Sequence, residues 1–268
     1  MTTSPTTAPM TLDVSQTARV PFSRLVAVEL RKMTDTRAGR WLLISIAAAT
    51  ALVLVIQLWV VLAQDQTVTF NDFGAGANIP MNILLPVLGV MSVTSEWSQR
   101  TAMVTFSLEP SRSRFLAAKY VGTLIVALIA VVLGLGLTIA ANGLYAAFSD
   151  NEVTWNLGPF QLFSFFLLYV FSMSTGFAFG MLLLNTAAAI VVYFVYSFVL
   201  PGLLELGSAL MDWFKDLRPW IDFNNAQNPI IEADVSGKEW AQLLVSGLIW
   251  LGLPLLIGVW RVLRAEVK

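Results

Sequence analysis

The residues of this chain that could do chemistry fall in two short polar segments. Glu96 to Lys119, reading EWSQRTAMVTFSLEPSRSRFLAAK, carries Glu96, Arg100, Glu109, Arg112, Arg114 and Lys119; Glu29 to Arg37 carries Glu29, Arg31, Lys32, Asp35 and Arg37. Their chemistry is charge pairing and recognition rather than bond cleavage. The 268 residues include no cysteine and no histidine, which removes thiolate nucleophiles, the commonest metal ligand and the commonest general base. No Gly-x-x-x-x-Gly-Lys-Ser/Thr run occurs, so the chain has no loop of the usual kind for cradling a nucleotide phosphate. It is expected to bind no cofactor itself and not to be an enzyme on its own.

The elements that must position these segments are apolar. Hydrophobic residues make up 57% of the chain and charged residues 12%, about half the charge of an average soluble domain. Five stretches, 41–64, 73–95, 120–149, 153–204 and 240–260, contain no Lys, Arg, Asp or Glu. At about 1.5 Å of rise per residue, roughly 20 helical residues cross a hydrocarbon core of about 30 Å, so four stretches fit one span each. The fifth would form a helix of roughly 78 Å, and its length predicts two spans reversing near Asn185 and Thr186. The fold class expected is all-α: a polytopic membrane protein with six transmembrane helices at about 41–64, 77–95, 120–148, 160–184, 187–204 and 241–260. Residues 1–20, rich in Thr, Ser and Pro, read as a disordered tail rather than a signal peptide, and 41–268 as one transmembrane domain.

Orientation follows from the basic residues. With a cytoplasmic N-terminus and six spans, thirteen Lys and Arg lie inside and three, Lys215, Arg218 and Lys238, lie outside. Both termini are then cytoplasmic, in a multi-pass protein of the plasma membrane. No nucleic-acid partner is expected; the lipid bilayer is. Within 21–40, Phe22, Leu25, Val26, Leu30 and Met33 share one side of a helical wheel and Arg24 and Arg31 the other, the pattern of an amphipathic helix on the cytoplasmic surface. Glu29 sits in the middle of the apolar face. It either pairs locally with Lys32 at i+3 or meets a basic group on another cytoplasmic segment, which would dock the helix against the body.

In the 96–119 loop, Glu96 and Arg100 are spaced to pair across one helical turn. Pro110 suits the first turn of a helix, predicting a short one with a basic rim and one aromatic, Phe115. Pro80 and Pro86 predict a kinked or broken second span, facing protein or a pathway rather than lipid. Leu206, Leu210, Trp213, Phe214 and Leu217 predict one or two helices at the outer interface. The polar residues Gln57, Asn78, Asn82, Asn142, Ser174 and Thr175 are candidates to line a pathway. Ser172, Gly176 and Gly180, four apart, allow close helix approach, across a dimer or within the chain.

The spans hold no ionisable residue apart from tyrosine. Ion-driven carriers usually place carboxylates, basic groups or histidine there, and an intramembrane hydrolase needs a serine with His or Lys, or paired aspartates. Energy for uphill movement must therefore enter from outside the spans, with the 96–119 loop as its port.

The stretches Thr94–Thr101 (TSEWSQRT) and Leu108–Arg114 (LEPSRSR), followed by Lys119, resemble the permease subunits of type-2 ABC exporters of the actinobacterial type. That family's pattern is a Glu just after the second span, a Thr about five residues later, a Leu–x–Pro–x–x–Arg element and a Lys opening the third span. Glu96, Thr101, Leu108, Pro110 and Lys119 match it; Arg112 or Arg114 takes the basic position. Glu29, Lys32 and Arg37 resemble the family's connecting helix. A departure is Arg100, where the family usually has Gly. The resemblance implies a coupling helix in 96–119 that contacts a separate ATP-binding subunit through Glu96, Arg100, Thr101, Leu108, Pro110, Arg112, Arg114 and Lys119. It also implies ATP and magnesium held by that subunit, and a pore completed by a second copy or a different permease chain. The alternative is a non-transporting membrane anchor that recruits a cytosolic ATPase through the same loop.

Overall fold

A computed structural model describes residues 19–99, 101–109, 111–232 and 235–264. Residues 1–18, most of the expected tail, lie outside them, as do Arg100, Pro110 and the side chain of Leu108. The described residues form helices joined by loops, with no strand among them, in the order α1 (Phe22–Asp35), α2 (Arg37–Ala63), α3 (Phe70–Ser98), α4 (Ala102–Leu108), α5 (Arg112–Phe148), α6 (Pro159–Leu183), α7 (Thr186–Leu210), α8 (Asp212–Ile221), α9 (Asn228–Glu232) and α10 (Gly237–Arg264). Six of them, α2, α3, α5, α6, α7 and α10, are long and apolar enough to cross a membrane, as expected of a multi-pass membrane protein. Trp41 and Trp59 are both exposed on α2; eighteen residues of helix separate them by about 27 Å, close to the hydrocarbon thickness that interfacial tryptophans bracket.

The reversal predicted inside 153–204 falls at Leu184 and Asn185. Leu184 takes a left-handed conformation (φ 53°) that ends α6, and the Asn185 side chain accepts from the Ala188 amide at 3.0 Å to start α7. Asn185→Ala removes this cap and is expected to cost about 1 kcal/mol, read as a lowered thermal midpoint in detergent.

Three expectations need correction. The helix expected over 21–40 is two helices, because Thr36 is extended (ψ 144°) and its hydroxyl caps α2 by accepting from the Gly39 amide at 3.1 Å. Gly39 is required there: a Cβ would stand 1.9 Å from the Met33 carbonyl oxygen. Arg37 therefore opens α2 rather than closing α1. The short helix of the 96–119 loop lies before Pro110, as α4, and Arg112 to Lys119 form the first turns of α5. The second span is neither broken nor shortened; α3 runs through Pro80 and Pro86. A proline removes the donor to the carbonyl four residues earlier, and for Pro86 that carbonyl belongs to Asn82. The Tyr193 hydroxyl of α7 supplies the missing donor at 3.0 Å.

α7 and α10 each contain one widened turn with hydrogen bonds five residues apart, Leu200 N to Val195 O and Leu253 N to Leu248 O. Each precedes a proline, Pro201 or Pro254, whose ring would collide with the regular preceding turn.

The packing centre is α3 against α6. Gly89 and Gly176 bring the backbones together: a Cβ on Gly176 would lie 2.0 Å from the Pro86 oxygen, and one on Gly89 2.4 Å from the Met173 oxygen. Met81, Leu85, Leu88, Ala127, Tyr169 and Met173 fill the surrounding core. Gly180 is close to Val90, so Gly176 and Gly180 of the small-residue run on α6 pack against α3 within the chain.

Candidate functional site

Two sites emerge at different levels of the bundle. The first joins the polar segments. Glu29 of α1, Glu96 of α3 and Lys119 of α5 are all buried, and Lys32 closes the group from its half-exposed edge. The Lys32 ammonium donates to Glu29 Oε1 at 2.7 Å and to Glu96 Oε1 at 2.6 Å. The Lys119 ammonium donates to Glu29 Oε2, to the Ser92 carbonyl at 3.0 Å and to Glu96 Oε1 at 3.4 Å. It also stands 4.9 Å from the Phe115 ring centre. Two carboxylates and two ammoniums balance, which is the condition for burying them. Burial works against the Lys32 charge, but Glu29 and Glu96 outweigh it and hold its pKa above the usual lysine value.

Both readings of Glu29 are thus realised together: a local pair with Lys32 and a tie to a distant base, Lys119. Glu96 is engaged by the two lysines rather than serving only a local turn.

α4 is held against this cluster by aromatic contacts. Phe106 meets Phe115 edge-on at 5.6 Å and Trp97 at 6.2 Å, and the Arg112 guanidinium lies 4.9 Å from the Phe106 ring centre. Met103 and Ser107, one turn apart, are exposed. Arg112 donates to the carbonyls of Val262 and Leu263 at 3.0 and 3.2 Å, satisfying the end of α10. Arg114 donates to the Val20 carbonyl at 2.7 Å and pairs with Glu109 at 3.4 Å. Both arginines are turned inward. Thr101 is exposed beside a cleft of about 240 Å³ that Glu29, Lys32 and Glu96 also line. Arg37 is exposed outside the cluster.

The second site is a cleft of about 420 Å³ between α3, α6 and α7. Of the pathway candidates, Asn78, Asn82, Ser172 and Thr175 line it together. Asn78 is oriented by the Tyr169 hydroxyl, which donates to its Oδ1 at 2.7 Å. The others lie elsewhere. Gln57 bonds the Asp72 carbonyl at 2.9 Å, Ser174 pairs with the Tyr120 hydroxyl at 3.0 Å, and Asn142 is fully buried in α5 with neither amide atom partnered among the described residues. Tyr193, Tyr196, Ser197, Asn224 and Gln227 complete the polar part of the lining, and sequence reasoning missed them. Pro201, which forces the widened turn holding Tyr196 and Ser197, was the available signal. No group of three or more metal-ligating side chains occurs among the described residues.

No known family model matches the chain, and no curated protein matches it significantly.

Proposed function

We propose that this chain is the membrane-spanning permease subunit of an ATP-driven exporter, with both termini in the cytoplasm and ATP hydrolysed by a separate subunit. The observation that carries the reading is the buried cluster Glu29–Lys32–Glu96–Lys119. It fastens α1 to the inner ends of two spans, α3 and α5, on either side of α4. A push on α4 reaches both spans through Phe106, Trp97 and Phe115 without first being absorbed by a loose loop. The absence of charged residues from the cores of the spans supports an external energy source, and the pattern Glu96, Thr101, Leu108, Pro110, Lys119 supports an ATP-binding partner. On this reading α4 is the coupling helix, and its exposed Met103–Ser107 ridge meets the partner.

Met103→Asp tests this, because an exposed side chain can be changed without disturbing the core. Affinity capture of the solubilised chain from its native membrane is expected to recover a nucleotide-binding subunit, with recovery falling at least about tenfold for Met103→Asp, since a charge replaces an apolar contact at the interface. No such subunit with the unaltered chain would overturn the reading. A captured ATPase whose activity never drives transport would favour the membrane anchor instead.

A further inference from the structure

The cleft between α3, α6 and α7 has a chemistry of its own. Amide and hydroxyl side chains dominate its polar lining, and none of its lining residues is charged. An ionised ligand would lose hydration there and meet no charged side chain on the cleft wall. Amides and hydroxyls, by contrast, both donate and accept, which matches a ligand bearing several hydroxyl groups. Tyr193 and Tyr196 border them as largely buried walls, packed on Phe179 and Trp250. Tyr196 is 5% exposed, and its hydroxyl has no hydrogen-bond partner among the described residues. A buried hydroxyl without a partner is costly. The volume falls within the range of small-molecule sites, about 300–1,000 Å³.

The rim decides the rest of the ligand. Ile79, Phe198 and Ile231 line the cleft and are 59%, 58% and 54% exposed, so the polar interior opens directly onto the apolar, lipid-facing surface. A smaller pocket continues the track along α3 and α6 past Asn71, Gln161 and Ser164. At its other end Thr175, a lining residue of α6, adjoins the Gly176–Pro86 backbone contact.

We propose that this cleft binds the hydroxylated headgroup of an uncharged amphiphile, whose apolar tail lies along the Ile79–Phe198–Ile231 rim in the bilayer. As the identity of an exported substrate class this rests on the permease reading; as a binding site it rests on the cleft alone.

The chain has no cysteine, so Ala75→Cys, on an exposed residue lining both the cleft and its extension, introduces a single labelling site. The variant is placed in phosphatidylcholine nanodiscs and its maleimide labelling rate measured with submicellar octyl glucoside, octyl sulfate, octyltrimethylammonium or methyl glucoside. Octyl glucoside at saturation is expected to slow labelling about tenfold, because an occupied cleft covers most of the thiol's open side. The two charged amphiphiles and methyl glucoside are expected to leave it unchanged, as is octyl glucoside for Ile129→Cys on the exposed face of α5. Adding Asn78→Leu and Asn82→Leu should abolish the protection. Equal slowing by all three amphiphiles would reduce the cleft to an unselective apolar crevice, equal slowing by methyl glucoside would remove the tail, and no slowing would remove the site; each outcome overturns the proposal. If Ala75→Cys does not fold, Ser172→Cys, nearly isosteric, carries the same test. The assay needs no ATP-binding partner, so its failure is distinct from failure of the partner capture.

Discussion

Lys119→Met is expected to destabilise the protein by about 3 kcal/mol, in the range for removing one partner of a buried ion pair. Lys119 is 2% exposed and serves Glu29, Glu96 and the Ser92 carbonyl at once. Without it, two buried carboxylates share the single ammonium of Lys32. Lys32→Met should cost less, about 1–2 kcal/mol, because its side chain is 37% exposed and water can take its place beside the carboxylates. Removing Glu29 and Lys119 together, as Glu29→Met with Lys119→Met, should cost less than the sum of the two single changes, since no uncompensated charge is left on that side. Thermal unfolding in detergent reads all three. Limited trypsin digestion separates a local effect from a global one: Arg24 and Arg31 are exposed on α1, and cleavage there should accelerate in Lys119→Met well below the unfolding temperature. Equal costs for Lys119→Met and Lys32→Met, with α1 no easier to cut, would mean that the cluster does not anchor this helix.

The spans were legible because one physical length, the hydrocarbon thickness, sets them, and because charge is excluded from their interiors. That same length demanded a reversal inside 153–204, read near Asn185 and Thr186 and found at Leu184 and Asn185. Helix interruptions were harder to read. Thr36 breaks 21–40 because Gly39 permits a contact with the Met33 carbonyl that only the folded chain makes. Pro86 does not break α3 because Tyr193, 107 positions away in sequence, replaces the lost donor. At the candidate sites the division is similar. An acid on the apolar face of an amphipathic helix announces that Glu29 needs a partner, but periodicity cannot say that the partner is Lys119. Polarity inside a span likewise marks Gln57, Asn78, Asn82 and Asn142 alike; only packing shows that Asn78 and Asn82 share a cleft while Gln57 bonds the Asp72 carbonyl and Asn142 is buried away from it.

Gly176→Ala and Gly143→Ala, the same chemical change in two spans, are expected to have opposite signs. A Cβ at Gly143 meets nothing within 4 Å, so the change should stabilise α5 by up to about 1 kcal/mol through helix propensity alone. At Gly176 the Cβ would stand 2.0 Å from the Pro86 oxygen and 2.6 Å from the Pro86 carbonyl carbon and Cα. These are backbone atoms inside a helix, so no side-chain rotation relieves the overlap and α3 and α6 must separate by more than an ångström, a shift of order one atomic radius. Separation would also loosen the reciprocal contact of Gly89 with Met173 and Phe177. A loss of about 3 kcal/mol is therefore expected, the upper part of the usual range for overpacking. Small residues are the means by which membrane helices reach this proximity, since lipid tails supply no hydrophobic drive between them. Thermal midpoints of the two variants in one detergent make the comparison, and equal shifts would mean that α3 and α6 do not touch through their backbones. Because the same contact adjoins Thr175 at the end of the α3–α6–α7 cleft, a destabilised but folded Gly176→Ala should also label faster at Ser172→Cys. In that case, a single interface holds the bundle together and sets the depth of the cleft.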